Sequence, residues 1–244
     1  MTILVAMHLG SHSILIADKY SFRDSRLHRS DETKLYQSEN HTSVIGGNSE
    51  ASLITSKFLM GRTVTGEAEL MEMSERLQKT LLTSYGGFPI AGRSLMYLAA
   101  TIDNQAKLFT VAHDQLESGG RLTQLTSHNP GEILFAMPRL LPADQGEEFK
   151  REATALFEEF IAGKGKSIRP NDVHTVAGFA RSMGAILNKL SKNTEVISKN
   201  FDVSIVSSSG LTFTGWINFN CSRKVTLVQK SGQKVTHDGT VFAL

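Results

Sequence analysis

The chain has 244 residues, of which 40% are hydrophobic, and a formal net charge of +2 at pH 7, which suits one large globular domain or two small ones. The balanced charge argues against nucleic-acid binding, and no apolar run approaches the roughly 18 residues of a membrane span. A single cysteine, Cys221, excludes an intrachain disulfide, and the scattered histidines lack metal-ligand spacing, so we expect no metal, no other cofactor and a reducing cytoplasmic location.

The first part of the chain predicts short antiparallel strands. These predicted strands are residues 2–9, 12–18, 34–37 and 42–46. Between the second and third of them, residues 19–33 are polar and charged, which predicts an exposed loop. Residues 14–17 are apolar at every position, without the alternation of a half-buried strand. We therefore expect both faces of this sheet to be covered.

The remainder of the chain alternates pairs of helices with strands. The predicted helices run over about 49–59, 67–84, 147–162 and 172–190. The predicted strands are 95–102, 107–113, 121–126, 202–207, 211–216, 225–229 and 235–242. This order predicts an α+β fold in which helix layers lie outside two stacked antiparallel sheets.

Position 2 carries the first chemical signal. If Met1 is removed, Thr2 has its hydroxyl and a free α-amine on adjacent carbons. A threonine hydroxyl is a weak nucleophile until a base takes its proton, and an N-terminal threonine supplies that base itself. The pKa of an α-amine is ordinarily about 7.7–8.0, so it can carry protons near neutral pH.

The spacing of further residues gives a resemblance to a known family. Asp18 lies 16 positions after Thr2, and Lys34 lies 16 positions after Asp18. The opening strand 2–6, the pair Ala17-Asp18 and the glycine-containing turn 46–51 match as well. Together they resemble the proteasome β-subunits and the bacterial HslV peptidase, which are N-terminal-nucleophile hydrolases. Within this family the chain looks like a bacterial proteasome homologue.

The resemblance implies a role for each residue. Thr2 attacks an amide carbonyl and forms an ester that water later hydrolyses. The Lys34 ammonium favours the alkoxide and a neutral α-amine, because like charges disfavour one another, while Asp18 holds Lys34 charged and oriented. The backbone N–H of Gly47, or alternatively that of Asn48, is expected to stabilise the oxyanion.

Two further family motifs have counterparts that depart from the pattern. The family has an Asp-x-x-Ser pair after its last long helix, and here Glu195 and Ser198 occupy those two places. The family's Gly-Ser-Gly stretch is expected near 126–131, where Ser127 and Asn129 are both candidates to replace its serine. The resemblance leaves the choice between these two residues open.

The resemblance also implies an architecture and an activity. It predicts a single domain over 1–244 with the four-layer αββα sandwich, an insertion at about 138–170 and an added hairpin at about 217–244. It implies a threonine endopeptidase that forms a homo-oligomeric ring or double ring and cleaves unfolded polypeptides. Since the chain has no phosphate-binding loop, any ATP-dependent unfoldase is a separate partner.

Two alternatives stay open at this point. One is a peptide ligase or transferase, in which an amine captures the same ester in place of water. The other is a non-catalytic ring subunit of the same fold. Neither nucleic acid nor a membrane is expected as a partner.

Overall fold

The structure is a computed structural model. It describes residues 3–23, 26–29, 31, 34–38, 42–46, 66, 68–70, 72, 76, 94–115, 121–164, 168–209, 212–218, 226–229, 233–235 and 241–243. The helix predicted at about 49–59 lies outside these residues. Of the helix predicted at about 67–84, residues 68–70, 72 and 76 are described, and they are helical.

Strands make up most of the described chain. In order they are β1 (Leu4–His8), β2 (His12–Asp18), β3 (Ser21–Arg23), β4 (Arg26–Arg29), β5 (Leu35–Ser38), β6 (Thr42–Gly46), β7 (Ser94–Ile102), β8 (Gln105–Gln115), β9 (Arg121–His128), β10 (Ile133–Ala136), β11 (Asn200–Ser207), β12 (Thr212–Asn218), β13 (Thr226–Gln229), β14 (Gln233–Val235) and β15 (Val241–Ala243). Two long helices, α1 (Ala143–Lys164) and α2 (Val173–Lys192), lie between β10 and β11.

The strands form two large antiparallel sheets. One sheet has eight strands in the order β10-β1-β2-β11-β12-β13-β14-β15, and the other has five in the order β5-β6-β7-β8-β9. The short strands β3 and β4 pair only with each other among the described residues. The α+β class with two antiparallel sheets is therefore as predicted.

The central strands of the eight-stranded sheet are covered on both faces. In β2, Ile14 and Ile16 belong to the core that includes the helices, whereas Leu15 and Ala17 belong to the core shared with the five-stranded sheet. Successive side chains of a strand point to opposite faces, so an apolar run buries both. The expectation that both faces are covered is confirmed for this strand.

The two helices pack on the outer face of the eight-stranded sheet. Asp172 caps α2 by accepting a hydrogen bond from the Thr175 N–H at 3.0 Å, which satisfies one of the free donors of the first turn. The rings of Phe160 and Phe179 stack at 4.2 Å and join α1 to α2. No helix in the described part of the chain is long and apolar enough to span a membrane.

The structure differs from the sequence predictions in three places. The region 19–33, predicted as a loop, contains β3 and β4. The strand β10 is absent from the prediction, because four partly buried residues give too short a pattern. The last predicted strand, 235–242, is divided between β14 and β15.

Candidate active site

A buried lysine and a buried aspartate form an ion pair between the two sheets. Asp18 is the last residue of β2, and Lys34 immediately precedes β5. The Lys34 Nζ lies 3.1 Å from the Asp18 Oδ1, and the two side chains are 2% and 0% exposed. Lysine and aspartate are almost never fully buried unless they are paired. The structure thus brings together two residues that the sequence predicted as partners.

The Asp18 carboxylate accepts hydrogen bonds at both of its oxygens. Its Oδ1 accepts the Ile3 N–H at 3.1 Å in addition to the Lys34 ammonium. Its Oδ2 accepts the N–H of Tyr20 at 3.2 Å and that of Ser198 at 3.4 Å. An ionised carboxylate only accepts hydrogen bonds, so these four donors fit the charged form.

Burial and hydrogen bonding act in opposite directions on this carboxyl. Burial raises the pKa of Asp18, because the charged form loses its hydration. The Lys34 ammonium, followed by the N–H groups of Tyr20 and Ser198, lowers the same pKa. Asp18 therefore depends on its protein partners, above all Lys34, to stay charged.

Lys34 is held by its main chain as well as by its side chain. Its Nζ donates to the carbonyl oxygen of Tyr20 in addition to Asp18. Its backbone N–H donates to the Asp202 Oδ2 at 3.4 Å. The ammonium is thus oriented from two directions, and its backbone is tied to β11.

Ser198 connects the loop after α2 to the ion pair. Besides donating its N–H to Asp18, Ser198 accepts the Lys19 N–H at its Oγ over 2.9 Å and donates its hydroxyl to the Asn200 carbonyl. Glu195, its predicted companion, lies in the same loop with an exposed side chain. The structure therefore joins Ser198, and not Glu195, to Asp18.

Thr2 and Gly47, the proposed nucleophile and oxyanion donor, lie outside the described residues, as does Asn48. Ile3, which follows Thr2 in the chain, is described and buried. Its N–H binds Asp18, and its carbonyl oxygen accepts the Asp18 N–H at 3.1 Å. Ile3 is therefore in direct contact with Asp18 of the ion pair.

The segment 126–131 lies at the other end of β1. The Gly131 N–H donates to the His8 carbonyl at 2.8 Å, and β10 then runs antiparallel to β1 until Ala136 pairs with Leu4. His8 and Ile3 are five residues apart, or roughly 16 Å along a strand. Ser127 and Asn129 are therefore remote from Asp18 and Lys34, and the segment after β10 is the one that approaches the pair.

A chain of hydrogen bonds fixes this remote turn. The His128 ring bonds to the Glu132 carboxylate at 2.8 Å and to the Thr110 hydroxyl at 2.7 Å. The Asn129 side chain donates to Glu132 at 3.0 Å. This polar cluster holds the turn that carries β10 onto β1, and it is separate from the ion pair.

An open cleft includes Tyr20, the residue whose carbonyl oxygen binds Lys34. It is lined by Tyr20, Leu27 and Leu140 together with residues 191–197 and Lys199, which form the end of α2 and the loop that follows it. Leu27 is a large hydrophobic side chain that is 50% exposed. The cleft thus combines apolar and charged side chains, and it is connected to Lys34 through Tyr20.

Sequence reasoning missed two residues of this region, Lys19 and Asp202. The Lys19 Nζ lies 3.7 Å from the Asp202 Oδ1 and 2.6 Å from the exposed Asp31. Asp202 could have been found from the sequence, because it is a carboxylate within a strand whose other residues are mostly buried, and such a carboxylate needs a partner.

No metal centre is apparent in the part of the chain that the structure describes, since no group of three or more histidine, cysteine, aspartate or glutamate residues there is arranged to hold an ion.

A scan against protein-family models and a search of curated proteins each find no match to this chain.

Proposed function

We propose that this protein is a threonine endopeptidase in which Thr2, freed of Met1, is the nucleophile and the Asp18–Lys34 pair supports it. The observation that carries the proposal is the position of this pair beside Ile3. One oxygen of Asp18 binds both the Lys34 ammonium and the Ile3 N–H. The nitrogen of Ile3 is the one that joins it to Thr2, so the ammonium is held close to the start of the chain.

The burial of the pair supports a chemical role. Removing two charges from water has a desolvation cost that their attraction offsets only when the geometry is good, so a buried ion pair adds little net stability. Titratable groups that are strongly affected by burial and by a specific partner are frequent at active sites. Lys34 is thus more readily explained as a source of positive charge for a reaction than as a stabilising element.

The proposed reaction divides amide hydrolysis into two steps. The Thr2 hydroxyl gives its proton to the α-amine while its oxygen attacks the amide carbonyl, and the leaving amine takes up a proton as the ester forms. Water then attacks the ester, releases the acid and returns the proton to the threonine oxygen. The Lys34 ammonium stabilises the alkoxide and disfavours a charged α-amine, since like charges repel.

The other residues have supporting roles in the proposal. The N–H of Gly47, or of Asn48, stabilises the oxyanion. Ser198 orients Asp18 through its N–H, which lies 3.4 Å from the Asp18 Oδ2. Glu195 is exposed, and we assign it to the rim of the cleft rather than to the reaction.

We extend the proposal to the architecture and the partners. The helical residues 68–70, 72 and 76 belong to a second helix layer, which completes the αββα sandwich of the proteasome-type hydrolases. The protein forms a homo-oligomeric ring or double ring in the cytoplasm and cleaves unfolded polypeptides. A separate ATP-dependent unfoldase delivers these substrates.

The test is to determine whether Thr2 becomes the N-terminus and reacts there. We expect active preparations to lack Met1 by intact mass, because threonine is small enough for removal of the initiator methionine. A peptide boronate or epoxyketone should add its mass to Thr2. Thr2→Ala should abolish both peptide turnover and labelling, whereas Thr2→Ser should keep part of each because it preserves the hydroxyl and the amine.

Two outcomes would overturn this assignment. One is labelling at a residue other than Thr2, and the other is full activity in protein whose mass still includes Met1. If products carry an added amine nucleophile instead of water, the enzyme is a transferase that uses the same ester.

A further inference from the structure

We infer that Asp202 is a positioning residue that fixes Lys34 for the reaction, and that Lys19 keeps Asp202 in place. The inference rests on the proposed function, because it assigns Asp202 a task in supporting the Lys34 ammonium. It follows from a closed ring of polar contacts that passes through both residues.

The ring has five members. The Lys34 Nζ binds the Asp18 Oδ1, and the Asp18 Oδ2 accepts the Ser198 N–H. The Ser198 Oγ accepts the Lys19 N–H, and the Lys19 Nζ lies 3.7 Å from the Asp202 Oδ1. The Asp202 Oδ2 accepts the Lys34 N–H at 3.4 Å, which closes the ring. Each of the two lysines is therefore held by its backbone and by its side chain.

The contact between Asp202 and Lys34 crosses from one sheet to the other. Asp202 lies on β11 of the eight-stranded sheet, where it pairs with Ala17, the residue before Asp18. Lys34 leads into β5, the edge strand of the five-stranded sheet. Asp18 and Asp202 thus lie on neighbouring strands of one sheet. Asp18 binds the side chain of Lys34 and Asp202 binds its backbone, immediately before a strand of the other sheet.

The charge of Asp202 is held by the same ring. Burial raises the pKa of this carboxyl, while the Lys19 ammonium and the Lys34 N–H lower it. Lys19 is in turn bound by Asp31, whose side chain is 75% exposed and which lies outside the ring. Lys19 therefore lies between the buried Asp202 and the exposed Asp31, and its positive charge offsets the desolvation cost of burying the Asp202 carboxylate.

The expected effect is on the chemical step. If the Lys34 backbone loses its acceptor, the base of its side chain can shift although the ammonium keeps its contacts with Asp18 and Tyr20. A displacement of about 1 Å at a reacting centre can lower the rate about 100-fold. Neither Asp202 nor Lys34 lines the cleft, so we expect this contact to have little effect on substrate binding there. We therefore expect a loss in kcat with little change in KM.

The experiment compares two substitutions at Asp202 with a matched control. Asp202→Ala removes the acceptor, whereas Asp202→Asn keeps an oxygen that can accept the Lys34 N–H. We expect Asp202→Ala to lower kcat by about 10-fold to 100-fold with KM within about twofold, and Asp202→Asn to recover most of that loss. Asp31→Asn, which removes an exposed carboxylate from Lys19, should stay close to wild type.

Hydrogen–deuterium exchange of a peptide covering residues 31–38 adds a readout that does not need activity. The Lys34 amide should exchange faster in Asp202→Ala than in wild type and in Asp31→Asn. Unchanged amide exchange together with unchanged kcat in folded Asp202→Ala would overturn the inference. It would also be overturned if Asp202→Ala and Asp202→Asn lowered kcat and changed KM to the same extent as each other.

Failure of the proposed function gives a different pattern. In that case the wild-type protein shows no turnover that depends on Thr2. The exchange measurement still decides whether Asp202 holds the Lys34 backbone. If turnover depends on Thr2 but does not change in Asp202→Ala, the proposed function stands and the inference about Asp202 is wrong.

Discussion

Asp18 and Lys34 are charged side chains in a place where burial disfavours charge. The four hydrogen bonds to the Asp18 carboxylate and the two described acceptors of the Lys34 ammonium replace hydration. Such a pair is sensitive to the loss of one partner, because the other is then left as a buried charge without compensation. At the residue scale, the contact that the proposed reaction uses is therefore also one on which stability depends.

We predict that Lys34→Met strongly lowers activity and also destabilises the protein. Loss of an electrostatic contact to a developing oxyanion lowers the rate about 100-fold to 1,000-fold, and unpairing a buried charge costs about 3–5 kcal/mol. Peptide turnover and the free energy of unfolding should both be measured. Lys34→Met combined with Asp18→Asn should regain part of the stability, since no unpaired charge remains, but none of the activity.

Lys189→Met is the matched control for this prediction. Lys189 also forms ion pairs, at 3.0 Å to Glu148 and 2.5 Å to Glu152, but its side chain is 54% exposed. Exposed pairs contribute little to stability, so both readouts should stay near wild type. Near-full activity in a folded Lys34→Met protein would remove Lys34 from the proposed site.

At the scale of elements, the sequence was informative where local patterns decide the structure. The hairpin β1–β2 follows from two apolar runs and from Gly10, whose φ of +87° suits a tight turn. The long helix α2 follows from its apolar spacing and from the cap at Asp172. The pairing of Asp18 with Lys34 was predictable only from the family resemblance. Without it, the spacing of the two residues in the sequence does not show that they are partners.

Structure that depends on distant contacts was not predictable in this way. Strand β10 has four residues, all partly buried, and it is defined by its pairing with β1. Without β10, nothing in the sequence shows that 126–131 lies at the far end of β1 from Asp18. Asp202 was missed for a related reason, since its partners are 168 positions away at Lys34 and in the loop that contains Lys19.

The contact between β2 and the start of α2 leads to a prediction about pH. His12 is buried, and burial lowers its pKa to about 4, although Asp172 and the Pro170 carbonyl act in the opposite direction. The ordinary pKa of histidine is 6.5, so between pH 6.5 and 4 the unfolded chain binds a proton that the native protein does not. The stability from a neutral His12 is therefore complete above pH 6.5 and falls as the pH decreases toward 4.

The loss over this window should be on the order of 3 kcal/mol, because one pKa unit corresponds to about 1.4 kcal/mol. The measurement is the free energy of unfolding in urea at several pH values between about 7 and 4.5, at one protein concentration. His12→Gln should make this dependence less steep, whatever its effect at neutral pH. His174→Gln, at an exposed position of α2, is the control. Equal slopes for wild type and His12→Gln would contradict the prediction.

At the scale of the whole molecule, the two ends of β1 have different surroundings. One end begins at Ile3 beside the ion pair, Ser198 and the open cleft. The other end is closed by the turn 129–132 and by the hydrogen bonds of His128 and Glu132. In the proposed peptidase the reaction takes place at the Ile3 end of β1, and assembly into a closed chamber would restrict substrate access to it.

We therefore predict that the protein forms a complex of about ten or more subunits with closed symmetry. Light scattering over a dilution series into the low micromolar range should give a constant mass for the wild type. Thr2→Ala should give the same mass, because the nucleophile acts on substrate and not on assembly. A stable monomer at micromolar concentration would exclude the ring. A stable ring in which Met1 is removed but Thr2 is never labelled would instead identify a non-catalytic subunit, so the two measurements together separate the architecture from the chemistry.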